Sequence, residues 1–357
     1  MVITFLIGNG FDIRMGLKTS YKNFCDKVLK PRASESNNRV IKELCSDEEN
    51  WSDMELYLGG IAINGMSSNE YYDNKIEIEE LLKEYLLNEE AKITVKYSDL
   101  LLKEVKRTFC DFQDELKEVQ KQRINGLKKS FANEEFLIQA INFNYTNTFD
   151  KAIEAVVKQT NGVINTHLYG GTKRPEKIGR VHHVNGLLTD GLVLGVNDPS
   201  QIKSTDLKQD EEVLVTTIKK RANAEKGARS TEIAESMIDE STLICVFGMS
   251  YGETDRDWWN NLCLWLNGST NRNLVLFNYN PKSIESTNIA INRKNDQQIL
   301  TTFKTASGVS DDVWKKIKDR IIVKEKPNLF NFPLELSTDN QLVDNNTSLE
   351  DGESSDK

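Results

Sequence analysis

The chain opens on Val2-Ile3-Thr4-Phe5-Leu6-Ile7, an apolar run with no polar preamble, and turns at once at Gly8-Asn9-Gly10. A strand apolar on both faces belongs inside a sheet that is covered on both sides. Runs of the same kind recur at 136–143, 163–168, 180–184, 191–196, 242–247 and 273–277, several of them β-branched and followed by helical periodicity. The alternation predicts an α/β fold, a largely parallel sheet with helices on both faces. Between the first two runs, about 35–130, lies a stretch rich in Glu, Lys and Leu, with apolar positions at helical spacing such as Ile76, Ile78, Leu81, Leu82, Tyr85 and Leu86. It is too long for one crossover and is predicted to be a helical insertion within an α/β domain spanning 1–334. Residues 200–240 read as helical and polar. Residues 335–357 are acidic and free of aromatics; such a tail cannot offset its ordering entropy and is predicted to be disordered.

Composition is that of an ordinary globular protein, 38% hydrophobic and 28% charged over 357 residues. A net charge of −9 and a pI near 5.2 speak against general nucleic-acid binding, which requires a basic face to displace counterions. The densest basic group, Lys219-Lys220-Arg221 with Lys226 and Arg229, is interspersed with Glu211, Glu212, Glu225 and Glu232 and reads as a solvated helix face. Five cysteines without Cys-x-x-Cys spacing, beside only three histidines, give no zinc pattern, so no metal is predicted. Free thiols, the lack of any membrane-length apolar run and the absence of a signal-peptide pattern predict a cytoplasmic protein that engages no membrane.

Four polar clusters fall where the predicted strands end, and the carboxyl edge of an open α/β sheet is where ligands bind. They are Gly8-Asn9-Gly10-Phe11-Asp12; Asn142 through Asp150, read Asn-Phe-Asn-Tyr-Thr-Asn-Thr-Phe-Asp; Val181-His182-His183-Val184-Asn185-Gly186; and Phe247-Gly248-Met249-Ser250-Tyr251-Gly252-Glu253-Thr254-Asp255. The first is not a dinucleotide Gly-x-Gly-x-x-Gly turn, because Ile13 stands where the third glycine is required. Trp258, Trp259 and Trp265 have the helical spacing of core residues, and Asp255 is placed to cap their helix.

The order of these clusters, together with Trp51-Ser52-Asp53-Met54-Glu55, resembles the AbiH family of bacterial abortive-infection proteins over most of residues 1–280. That family in turn resembles, more remotely, the sirtuin-like, Rossmann-like NAD-binding fold. The resemblance implies NAD, as substrate or ligand, against Gly8, Asn9, Gly10 and Phe11, with Asn185, Gly186, Gly248, Ser250 and Asn278 completing the binding site. Asn144 falls on the asparagine of the sirtuin motif. Two departures count against deacylation: Asn185 stands at the position of the sirtuin histidine, and Thr146 at that of the motif aspartate.

Cleavage of NAD to nicotinamide and ADP-ribose passes through an oxocarbenium-like state that needs positioning and charge stabilisation more than a nucleophile. Asn144 is the expected holder of ribose or water, assisted by Asp12 and by His183, which strand alternation puts on one face with Asn185. The resemblance thus implies an antiphage protein that hydrolyses NAD, with a phage-derived trigger and self-association left open. A nucleotide-binding signalling module without catalysis is the alternative from another class.

Overall fold

The computed structural model describes residues 1–336 other than 62, 64, 190, 228 and 280–287. Nine strands are present among them: β1 (Val2–Ile7), β2 (Ile93–Thr94), β3 (Phe136–Asn142), β4 (Val163–Tyr169), β5 (Thr172–His183), β6 (Leu243–Phe247), β7 (Asn273–Asn278), β8 (Ile321–Glu325) and β9 (Glu335–Leu336). Seven of them form one sheet in the order β4-β5-β3-β1-β6-β7-β8. All pairings are parallel except β4 with β5. Apart from that antiparallel edge, the six parallel strands run 3-2-1-4-5-6 in chain order, which is the doubly wound Rossmann arrangement. Chain order reverses between β1 and β6, and the crevice beyond their carboxyl ends is the switch point where such folds take ligands.

Strand alternation sorts the core into two layers. Ile3, Phe5 and Ile7 of β1, Leu243, Cys245 and Phe247 of β6, and Val275 and Phe277 of β7 face one cluster; Leu6, Ile244, Val246, Leu274 and Leu276 face the other. The first layer is covered by helices Asp99–Phe109, Glu118–Ser130 and Thr148–Thr160. The second is covered by Ser230–Asp239 and Arg256–Asn267, whose Trp258, Trp259 and Trp265 are buried as predicted. A third cluster gathers Phe24 through Leu86 with Tyr145 and with Leu188 through Ile218. The helix-rich stretch after β1 therefore divides: its portion up to the long helix Ser68–Glu90 builds the third cluster, and the helices from Asp99 onward pack on the sheet.

The run 191–196 is not a strand. Leu192, Val193, Leu194 and Val196 are buried, but their neighbours are helical, and the pairing found there is a single bridge from Val196 to Ile218. β5 begins at Thr172, well before the predicted 180, because the polar Lys173, Arg174 and Lys177 are carried on an antiparallel hairpin with a wet face. β8 was not predicted, and β2 and β9 form a separate two-stranded pair that takes up the first two residues of the expected tail. The remainder of that tail, 337–357, lies outside the described residues.

Candidate functional site

At the switch point the turn after β1 and the turn after β6 interlock. Gly8 N–H donates to the Phe247 carbonyl at 2.9 Å and Gly10 N–H to the Gly248 carbonyl at 2.8 Å. A Cβ on Gly10 would lie 2.4 Å from Gly248 Cα, and one on Gly8 2.6 Å from the Gly248 oxygen. Gly248 itself has φ +73°. Only glycine satisfies both the close approach and the left-handed backbone. All three glycines are thus explained by the contact of one turn with the other.

Beside this junction lies a buried polar group of side chains, the floor of the sheet edge. Asp12 is 1% exposed. Its Oδ2 accepts from the Thr146 hydroxyl at 2.6 Å, while Oδ1 has no partner among the described residues. Burial, only partly offset by the Thr146 bond, pushes the Asp12 carboxyl up to about 7, with Glu90 adding to the rise. The loop after β3 supplies the other groups. Asn142 Oδ1 accepts from Asn144 N–H at 3.0 Å, an Asx turn that leaves the Asn144 side chain free of the turn. Asn144 is 5% exposed and its Nδ2 has no partner among the described residues. An unsatisfied buried carboxylate oxygen and amide are each unfavourable by about 1–3 kcal/mol unless something hydrogen-bonds them. One is an acceptor and the other a donor.

His183 is bonded to the loop of this floor. Its Nδ1 is 2.9 Å from the Asn144 carbonyl, which can only accept, so Nδ1 carries a proton. Its Nε2 is 2.8 Å from Asp150 Oδ2, which also accepts from Asn142 Nδ2 at 3.2 Å. With Nδ1 on the Asn144 carbonyl and Nε2 against Asp150 and Asn142, His183 in this geometry positions the loop that presents Asn144.

Several other predicted residues serve the frame. Phe11 is wholly buried in edge-to-face contact with Phe149, Phe330 and Phe332, so its ring belongs to the core and not to a ligand surface. Asn9 is paired with Thr19, accepting from its hydroxyl at 2.5 Å and donating to its carbonyl at 3.1 Å. Asn185 is buried and donates to the Phe143 carbonyl at 3.2 Å, joining the ends of β3 and β5. Gly186 turns the chain at φ +78°. Ser250 is exposed beyond Gly248, and Asn278 ends β7, its carbonyl accepting from Lys326 N–H at 2.8 Å.

A second polar cluster adjoins the floor and was not foreseen. Lys219 Nζ is 2.6 Å from Glu55 Oε2 and 3.8 Å from Asp255 Oδ1. The Tyr145 hydroxyl lies 3.2 Å from Glu55 Oε1 and 2.9 Å from the Val193 carbonyl. Burial pushes Asp255 up to about 6 and also raises Asp53, while Lys219, despite its own burial, is held above the usual lysine range by Glu55 and Asp255. Lys219 is therefore an interior charge and not part of a solvated face. Asp255 stands at the helix N-cap position, but its side chain bonds no helix N–H. The sequence signal was the Trp51–Glu55 segment, whose carboxylates meet the other motifs here.

A family model described as bacteriophage abortive infection AbiH matches residues 4–279. The chain belongs to the AbiH family. The match runs from β1 through β7 and takes in every residue of both polar clusters, so its role lies in bacteriophage abortive infection. The AbiH match stops before β8 and before Phe330, both of which are built into the same sheet and core. No curated protein matches the chain. Among the described residues no helix is long and apolar enough to cross a membrane, and no group of three or more His, Cys, Asp or Glu is placed to hold a metal ion.

Proposed function

We propose that the carboxyl edge of the sheet binds NAD or a related nucleotide, and that hydrolysis of its nicotinamide–ribose bond arrests the infected cell. The observation that carries this reading is the presence of two buried, unpartnered polar atoms, Asp12 Oδ1 and Asn144 Nδ2, on the loops that follow β1 and β3 at the switch-point edge. Sugar hydroxyls and water are both donors and acceptors and so can pair with either atom. Asp12, titrating near neutrality, is suited to general-base work at cellular pH. In the step proposed, water attacks ribose C1′, the C1′–N bond electrons leave with nicotinamide, which becomes neutral, and Asp12 takes the proton from water. Asn144 holds the reacting ribose or that water. The products are nicotinamide, ADP-ribose and a proton.

The second reading, a nucleotide-binding module that signals without catalysis, is favoured by one feature, the deep burial of the floor. Chromatography of NAD, nicotinamide and ADP-ribose from cells sampled after infection separates the two. Hydrolysis predicts NAD loss with the wild-type protein and none with Asn144→Ala, in which protection also fails. Constant NAD while wild-type still protects leaves the signalling module as the better account.

A further inference from the structure

Asp12, Asn142, Asn144 and Thr146 are all at most 5% exposed, so a nucleotide cannot reach the floor while the helices above it stay in place. Two sets of contacts hold them there. At the end of the long helix, Glu90 Oε2 accepts from Asn147 N–H at 2.9 Å, and Oε1 pairs with Lys151 Nζ at 2.7 Å. On another side, Glu55 of helix Met54–Gly60 lies against the Tyr145 hydroxyl, whose one proton it shares with the Val193 carbonyl; Tyr145 stands between Asn144 and Thr146 in the floor loop. Glu55 is itself held by Lys219, around which Asp53 and Asp255 also gather. These residues come from the Trp51–Glu55 segment, the Asn-Tyr-Thr loop and the turn after β6, three parts of the chain joined by one amine.

We propose that Lys219 is the latch of the site: its ammonium ties helix Met54–Gly60 to the sheet edge and, through Glu55 and Tyr145, keeps loop 142–148 closed over Asp12. The proposal rests on the ligand site argued above and concerns its regulation. Glu55 also accepts from Tyr145 and Asp53 also caps helix Met54–Gly60, but Lys219 is the positive charge that Glu55, Asp53 and Asp255 share. Without it Glu55, Asp53 and Asp255 repel one another in a poorly solvated space, and the helical layer parts from the sheet edge. For a protein that arrests its own cell, a closed resting state released by displacing one ion-pair centre supplies the restraint needed before infection. Lys219 acts through Glu55 and Tyr145, so it is a positioning residue.

Hydrogen exchange of the full chain without any ligand tests the latch separately from the nucleotide reading. Lys219→Met is expected to raise exchange at least tenfold in 54–60 and 142–148 while leaving β6, β7 and helix Arg256–Asn267 at wild-type protection; Lys219→Arg is expected to restore protection. Tyr145→Phe, which removes a single hydroxyl, is expected to raise exchange a few-fold in 142–148 alone. Stopped-flow mixing with ADP-ribose is expected to give faster association for Lys219→Met than for wild type. Unchanged exchange at 142–148 in both Lys219→Met and Tyr145→Phe overturns the latch, as does an equal rise over the whole chain in Tyr145→Phe. Local opening without any ADP-ribose binding keeps the latch and removes the nucleotide.

Discussion

The glycine junction and the polar floor lie side by side at one sheet edge and treat burial in opposite ways. At the junction the close contacts are backbone on backbone apart from the Met249 side chain against Gly8, with the N–H groups of Gly8 and Gly10 spent on the Phe247 and Gly248 carbonyls. At the floor, Asp12 and Asn144 are buried with one polar atom each left without a partner. A glycine turn at a strand end is commonly read as a phosphate cradle, whereas here the glycines are fully accounted for by the fold. The unpaired carboxylate oxygen and amide are among the buried polar atoms that the fold leaves without partners, with Asn147 Oδ1 and Thr148 Oγ1 beside them on the same loop, and they carry the functional argument.

The largest effect separating the two regions is expected at Gly10. Because its Cβ would lie 2.4 Å from Gly248 Cα, Gly10→Ala must force β1 and β6 apart and is expected to destabilise by more than about 3 kcal/mol in urea titrations. A variant as stable as wild type would return the glycines to the role of ligand cradle.

Next in size is the pH response of Asp12. Its folded value, about 7, is above its unfolded value near 3.8, so the folded state keeps a proton that the unfolded chain releases. Its contribution is therefore fully present below the unfolded value and is lost as pH rises through the folded one. Asp12→Asn removes this dependence. It is expected to be more stable than wild type at pH 8 by at most about 4 kcal/mol, with the advantage vanishing by about pH 4. Thermal melts across that range check it, and an Asp12→Asn variant less stable at pH 8 would show that the carboxylate is held in the folded protein by more than the Thr146 hydroxyl.

His183 and Asn144 give the smallest effects on stability and the sharpest contrast. His183→Ala leaves the Asn144 carbonyl without its donor and removes one of the two contacts of Asp150 Oδ2, and is expected to lose about 1–3 kcal/mol. Asn144→Ala removes an amide whose Nδ2 is unpaired and is expected to change stability by less than about 1 kcal/mol while slowing NAD cleavage about a hundredfold. The reverse order in chemical denaturation would exchange the frame and the site.

Much of the fold was legible because β1, β3, β6 and β7 are buried on both faces and so carry continuous apolar runs. β5 was only half legible, since its first residues, Thr172 to Lys177, belong to a hairpin with one wet face. The run 191–196 misled for the converse reason: burial among helices produces the same apolar string as burial in a sheet. The site was legible as a set of strand ends, but its pairings were not. Thr146 and Asp12 are 134 residues apart, and Lys219 and Glu55 164 apart. Nothing local to Lys219 distinguishes it from the solvated Arg221 two positions on, which pairs with exposed Glu211. Phe11 was drawn into the site by its neighbours in sequence, although its ring packs into the aromatic core.

Calorimetric titration of the purified protein with ADP-ribose tests the central claim, that Asp12 and Asn144 form the floor of a nucleotide site, most directly. The account predicts saturable binding to the wild type and weaker binding to a Gly-junction-intact double variant, Asp12→Asn with Asn144→Ala, whose melting temperature is not reduced. Equal affinity in the two proteins, or no binding to folded wild-type protein at any concentration up to millimolar, would contradict it.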